Sequence, residues 1–135
     1  MKYKKLIIHT DGGARNNPGP AGIGAIIYDE QKNIVKEISE YIGEATNNQA
    51  EYRACLRAME EAKKLGAQEL EFYLDSELVV AQLNRRYKVK NKELAPLFMK
   101  IYNMSQEFKK VAFKHVRREF NKEADALVNK AIDNR

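Results

Sequence analysis

The sequence predicts an α/β fold built on a mixed five-stranded sheet, three strands in an antiparallel meander and two in parallel, with helices on its faces. Two observations carry this. Up to Ile42 there are three β-like runs joined by short polar segments, which brings successive strands back antiparallel. From Asn47 onward the hydrophobic period turns helical, and the remaining β-like runs are separated by helices. Those strands must pair in parallel through right-handed crossovers.

Taken in order, Leu6 to Thr10 reads as a strand that stops at Asp11-Gly12-Gly13. A loop follows from Ala14 to Pro20, rich in Asn, Pro and Gly. Gly22 to Tyr28 and Ile34 to Ile42 are the next two strands, joined by the polar turn Asp29 to Asn33. A long helix starts at Thr46 or Asn47 and runs to Leu65, where Gly66 ends it. Glu69 to Leu74 is a short strand and Ser76 to about Asn84 a short helix. Between Asn91 and Phe108, Leu94, Leu97, Phe98, Ile101, Met104 and Phe108 recur at helical spacing. Pro96 conflicts with a helix start at Asn91, because it lacks an early backbone donor. Val111 to Val116 is the last strand and Asn121 to Asp133 the last helix, giving the order β-β-β-α-β-α-α-β-α. No repeat, low-complexity stretch or linker interrupts it, so residues 1–135 read as a single domain.

With 44% hydrophobic residues the chain can build a real core, and 32% charged residues suit a solvated surface. The net charge of +5 favours an anionic partner, of which nucleic acid is the usual one, although solubility alone accounts for it equally well. One cysteine, Cys55, permits no internal disulfide and points to a reducing compartment. Its spacing from Ala54, Ala58 and Ala62 marks a small packed residue, and one Cys with two His cannot build a zinc site. The basic stretch from Met1 to Lys5 is followed only by Leu6-Ile7-Ile8, too short for a signal peptide or membrane span. A cytoplasmic monomer with no membrane association and no obligate protein partner is expected.

Four carboxylates stand out. On the long helix, at ~100° per residue, Glu51 shares a face with Cys55, Ala58, Ala62 and Leu65, while Arg53, Arg57, Glu60 and Lys64 lie opposite. A carboxylate heading an apolar stripe is costly to bury unless it is paired or bound to a metal. The ordinary explanation is a first-turn Glu reaching back to a cap, and the two are evenly matched. Asp11, past the first strand, also suits an Asx turn, and Asp75, past the fourth, a helix cap. If those strands are parallel neighbours, both aspartates lie at their carboxyl ends, where ligands bind in open α/β sheets. Asp125 borders the apolar face of the last helix beside Val128 and Ile132, and spacing alone makes it an ordinary surface carboxylate.

Converging carboxylates need a cation, and all-oxygen ligands suit Mg²⁺ or Mn²⁺. In a basic protein such a site fits phosphodiester chemistry, with two ions about 3.5–4 Å apart serving an in-line displacement. A metal-free route through a ribose hydroxyl would need histidine acid and base. His9 and His115 both fall inside predicted strands, where a histidine is usually structural.

In order along the chain, Thr10-Asp11-Gly12-Gly13, Asn17-Pro18-Gly19-Pro20, Thr46-Asn47-Asn48-Gln49-Ala50-Glu51, Asp75-Ser76, Val89-Lys90-Asn91 and Asn121-Lys122-Glu123-Ala124-Asp125 resemble type 1 ribonuclease H. Any one piece is weak, but the ordered set spans nearly the whole chain. The resemblance implies the ribonuclease H-like three-layer fold, with helices on both faces of the mixed sheet. It implies that Asp11, Glu51, Asp75 and Asp125 are the catalytic, metal-binding carboxylates, holding two Mg²⁺ (or Mn²⁺) ions once substrate is bound. The implied reaction is endonucleolytic hydrolysis of the RNA strand of an RNA/DNA hybrid, leaving 5′-phosphate and 3′-hydroxyl ends. Asn17, Asn47 and Asn48 match positions that contact the hybrid backbone and its 2′-hydroxyls, and short loop amides can both donate to and accept from a sugar hydroxyl. Thr46 and Asn91 match residues that hold a DNA-strand phosphate, and both also look like helix caps.

Two departures from the family pattern matter. Many members carry a mobile histidine in the loop before the last aspartate; Arg117 to Ala124 contains none, and Arg118 or Glu119 occupies the region. A long basic protrusion after the Asp75 helix is also absent. Only Arg85-Arg86-Tyr87-Lys88-Val89-Lys90 links the two helices, a run that suits either a phosphate-facing patch or a solvated connector. The alternatives are a non-cleaving hybrid-binding module, which has no need of all four carboxylates, and a different nuclease on the same fold, which has no need of the asparagine cluster. The Ala14–Pro20 loop is not a P-loop, since it lacks the Lys-Ser/Thr ending and leads into a strand.

Overall fold

Backbone pairing carries the first strand through the Asp-Gly-Gly signal at which the sequence predicts a stop. The computed structural model describes residues 3–135; Met1 and Lys2, the start of the basic N-terminal stretch, lie outside the described residues. Its elements are β1 (Tyr3–Ala14), β2 (Gly19–Tyr28), β3 (Ile34–Ala45), α1 (Asn47–Lys64), β4 (Ala67–Leu74), α2 (Glu77–Leu83), α3 (Ala95–Ser105), β5 (Lys110–His115), a single 3₁₀ turn (Arg118–Phe120) and α4 (Lys122–Asp133). The sheet order is β3-β2-β1-β4-β5. β1, β2 and β3 form the antiparallel meander, and β1, β4 and β5 run parallel, as predicted.

β1 overruns its predicted end because Asp11, Gly12, Gly13 and Ala14 stay in register with Gly24, Ile23, Gly22 and Ala21 of β2. Gly12 and Gly24 serve helix approach rather than a turn. A Cβ on Gly12 would sit 2.3 Å from the Ala50 carbonyl, where α1 presses on one face of the sheet. A Cβ on Gly24 would sit 2.4 Å from the Ala124 carbonyl oxygen, where α4 presses on the other. The three layers follow: α1 with α2 and α3 on one face, α4 alone on the opposite one. The predicted Ala14–Pro20 loop contracts accordingly, since β1 takes Ala14 and β2 begins at Gly19.

Local chemistry sets the helix ends. Thr46 caps α1 by accepting from the Gln49 amide at 3.1 Å, and Gln49 returns its side-chain oxygen to the Thr46 amide at 2.8 Å. This reciprocal pair satisfies two backbone donors that the helix itself cannot. The conflict at Pro96 resolves because α3 begins only at Ala95, so the proline lies in the first turn, where a missing N–H costs nothing. Asn91 caps a preceding turn, accepting from the amides of Glu93 at 2.7 Å and Leu94 at 3.1 Å. At its other end α3 stops at Ser105, and a tight turn carries Phe108 back into the core.

The core lies between the sheet and α1, where Leu6, Ile8, Phe72 and Leu74 meet Tyr52, Cys55, Ala58 and Met59. Each such large side chain removed from water contributes roughly 1.5–3 kcal/mol. Cys55 is fully buried, as its alanine spacing predicts. The one polar group at the end of the Tyr52 ring, its hydroxyl, donates to Gln82 at 2.6 Å. Among the described residues no helix is long and apolar enough to cross a membrane.

Candidate active site

The four carboxylates arrive at one end of the sheet from four elements. Asp11 lies in β1, two residues beyond His9, the last β1 residue paired with β4. Asp75 follows directly on β4, and Asp125 sits in the first turn of α4. Glu51 comes from the first turns of α1, on the opposite face, and reaches the sheet end because Gly12 lets the helix backbone so close. The Gly12 amide donates to its carboxylate at 3.0 Å. Thr46 and Gln49 already serve the start of α1, so Glu51 is not a capping residue.

One carboxylate oxygen from each of Asp11, Glu51 and Asp75 can be chosen so that all three lie within 4.8 Å of one another. Asp125 stands outside that triplet but is close enough to Asp11 to raise its carboxyl, and it lines the same cavity of about 330 Å³. Asp11 and Glu51 are each only 7% exposed. Burial, and then the charges of Asp75 and Asp125, push Asp11 up to about 8. Burial, then Asp11 and Asp75, hold Glu51 well above the usual carboxylate range, against the pull of the Gly12 amide. Two like charges about 4 Å apart repel by about 4 kcal/mol at the effective dielectric of such a site. Among the described residues no lysine or arginine forms an ion pair with any of the four. The cluster can relieve that repulsion by taking up protons or a cation. Closely set oxygen donors that no protein cation pairs with suit a hard divalent cation.

The nine sequence-predicted residues divide into groups. Besides the carboxylates, only Asn47 lines the cavity. Its backbone amide donates to Asn17 at 2.9 Å, and its side-chain oxygen accepts from the Ala14 amide at 2.8 Å. Each asparagine thus spends its oxygen on joining the β1–β2 loop to α1, leaving its NH₂ for another partner. Thr46 and Asn91 lie on a neighbouring rim, outside the cavity lining, and the Gln49 side chain bridges them by donating to Glu93 at 2.8 Å. Asn48 is half-buried and outside the cavity lining.

The remaining signals sort as follows. His9 is structural, stacked 5.0 Å from Tyr73 and bonded to Asn121 at 3.1 Å. His115 is exposed at the end of β5, facing a hollow lined by Tyr87 and Glu77 rather than the carboxylates. Of the connector cations all four are exposed, but Arg85 folds over the Tyr102 ring at 5.3 Å. Arg118 lines the carboxylate cavity, whereas Glu119 is bound to Arg117 at 2.9 Å. Sequence reasoning missed Gln49 and Asn121. Gln49 had a legible signal, three places after a capping threonine; Asn121 stood in a segment that carries the resemblance, but nothing local pointed its side chain to β1.

The family described as reverse transcriptase-like matches residues 9–131. A bifunctional protein of Mycobacterium tuberculosis, Rv2228c, is 41% identical over 130 residues, 96% of this chain but 36% of its own length. The chain therefore spans about a third of the first curated relatives it matches. A ribonuclease H of Chlorobium phaeobacteroides is 31% identical, with 97% of each chain covered. Among solved structures, LC11-RNase H1 in complex with an RNA/DNA hybrid is 49% identical with a TM-score of 0.91, covering 96% of this chain and 97% of that one.

Proposed function

The chain belongs to the ribonuclease H family, and on that premise we propose that it is a divalent-metal-dependent endonuclease that hydrolyses the RNA strand of RNA/DNA hybrids. The products are a 5′-phosphate and a 3′-hydroxyl. The observation that carries the reading is the carboxylate cluster, with Asp11 and Glu51 buried in it and, among the described residues, no ion pair to any of its members. Asp11, Glu51 and Asp75 would hold Mg²⁺ or Mn²⁺, with Asp125 completing a two-ion site when substrate is bound. Such ions supply an acidified water and neutralise charge that builds on the phosphate.

The protein's own contribution is placement. The Gly12 amide fixes one Glu51 oxygen, so that carboxylate is aimed before any ligand arrives. Asn47, at the cavity edge, and Asn17, bonded to its backbone, keep their NH₂ groups for a sugar hydroxyl. Asn48 belongs to the same contact, and Thr46 with Asn91 forms a separate rim suited to a DNA phosphate. The exposed connector from Arg85 to Lys90 adds sequence-independent attraction to the duplex backbone. The LC11 enzyme seen with a hybrid supports this choice of substrate class. The lone buried Cys55 is consistent with work in the reducing cytoplasm, and the reading takes the protein as a monomer.

The test is cleavage of an end-labelled hybrid beside single-stranded RNA and duplex DNA, each with Mg²⁺, Mn²⁺ or EDTA. Metal-dependent cutting of the hybrid's RNA strand is expected. Cutting of duplex DNA would move the protein to another nuclease activity on this fold, and hybrid binding without cutting would make it a binding module.

A further inference from the structure

At an Asn that opens a helix, the side chain ordinarily accepts from the helix's own first amides. Asn121 opens α4 and does not: it makes no side-chain cap bond. It is 1% exposed, and its side chain turns to β1 instead. Its Nδ2 donates to the Thr10 carbonyl at 2.9 Å, and its Oδ1 faces His9 Nδ1 at 3.1 Å. A carbonyl only accepts, which fixes the orientation of the Asn121 amide; His9 Nδ1 must then carry the proton and donate. The His9 ring is itself held, stacked on Tyr73 with 17° between planes and edge-on to Tyr28.

Both ends of this clamp adjoin the carboxylates. Thr10 and His9 precede Asp11 in β1, and the Asn121 carbonyl accepts from the Asp125 amide at 3.1 Å. Asp125 is the one carboxylate outside the tight triplet, so its place relative to Asp11 depends on where α4 begins. We propose that Asn121, locked by Thr10 and His9, is a positioning residue that sets Asp125 against Asp11 and thereby tunes ion binding. The inference rests on the functional reading above, since it assigns the carboxylates to a metal site.

The experiment measures Mn²⁺ binding to the substrate-free protein by calorimetry, together with kcat and KM on the hybrid and a thermal melt. The proteins are wild type, Asn121→Ala, His9→Ala, His9→Asn, Asp125→Asn and the Asn121→Ala/Asp125→Asn double variant. Removing a group that orients a ligand typically costs about 10–100-fold in ion affinity or activity. Asn121→Ala is expected to lower Mn²⁺ affinity and kcat by about that range, with KM for hybrid unchanged. His9→Asn, whose amide nitrogen replaces Nδ1, should restore most of what His9→Ala loses. The double variant should fall no further than Asp125→Asn alone, because Asn121 acts through Asp125. Should Asn121→Ala fail to fold, the two His9 variants carry the same comparison. Unchanged Mn²⁺ binding and kcat in the clamp variants, or losses that add to those of Asp125→Asn, would overturn the proposal. A wild type that binds Mn²⁺ but cuts no hybrid would sink the functional reading, while the binding arm still judges the clamp.

Discussion

Two glutamates of this molecule show opposite uses of the same side chain. Glu71, in β4, has Lys5 at 2.9 Å and Lys114 at 3.3 Å, and the Tyr73 hydroxyl donates to it at 2.6 Å. The Tyr73 bond first, then the two lysines, hold its carboxyl at about 2. Glu51, on α1, has Asp11 and Asp75 for neighbours and one backbone amide for relief, and it is held well above its ordinary range. The first is a finished network whose partners are all protein. The second is an unfinished one, and what it lacks is positive charge. A structure built only for stability has no use for the second arrangement, which is why it marks the site.

The largest effect that could break this comparison is on turnover. Asp11→Asn should lower kcat on hybrid by about a thousandfold or more, measured in single turnover; near-normal cleavage would end the catalytic assignment. Gly12→Ala forces a Cβ to 2.3 Å from the Ala50 carbonyl and displaces the amide that aims Glu51. We expect a destabilisation of about 3 kcal/mol or more by urea denaturation, with loss of activity at permissive temperature.

The metal-free protein sharpens the contrast through pH. Asp11 has a folded pKa of about 8 against an unfolded value of 3.8, so stability is greatest below the unfolded value and declines as pH rises towards 8. Asp11→Asn should therefore stabilise the metal-free fold near pH 7, on the order of 2 kcal/mol, with no gain near pH 4. Saturating Mn²⁺ should produce a comparable gain in wild type alone, about 2.7 kcal/mol at a hundredfold excess over Kd; equal melting shifts in Asp11→Asn would contradict it. Glu71 runs the other way. Its depressed pKa gives stability that is full above about 4.5 and lost as pH falls towards 2. Glu71→Gln should flatten that acid limb, cost no more than about 1 kcal/mol at neutral pH, and leave kcat alone.

Much of this was legible in the sequence, for local reasons. The hairpin strands, the α1 period and the capping threonine all announce themselves within a few residues. The end of β1 did not, because Asp11-Gly12-Gly13 is a turn signal locally and, at Gly12, a packing requirement globally: α1 needs that glycine more than the loop does. Each carboxylate had an innocent local explanation; the parallel pairing of β1 with β4 brought Asp11 and Asp75 together, and the packing of α1 and α4 on the two faces added Glu51 and Asp125. The contact of Asn121 lay beyond sequence reasoning, since its carbonyl partner is 111 positions away.

Cys55 sits one helical turn from Glu51, sealed between α1 and the sheet, and burial raises its thiol far above the reactive range. A thiol reagent reaches it only when α1 lifts away, and that same event dismantles the carboxylate cluster. The protein thus carries its own clock for the opening of its site: the rate of Cys55 modification counts those openings, and an ion held by Glu51 together with Asp11 would slow it.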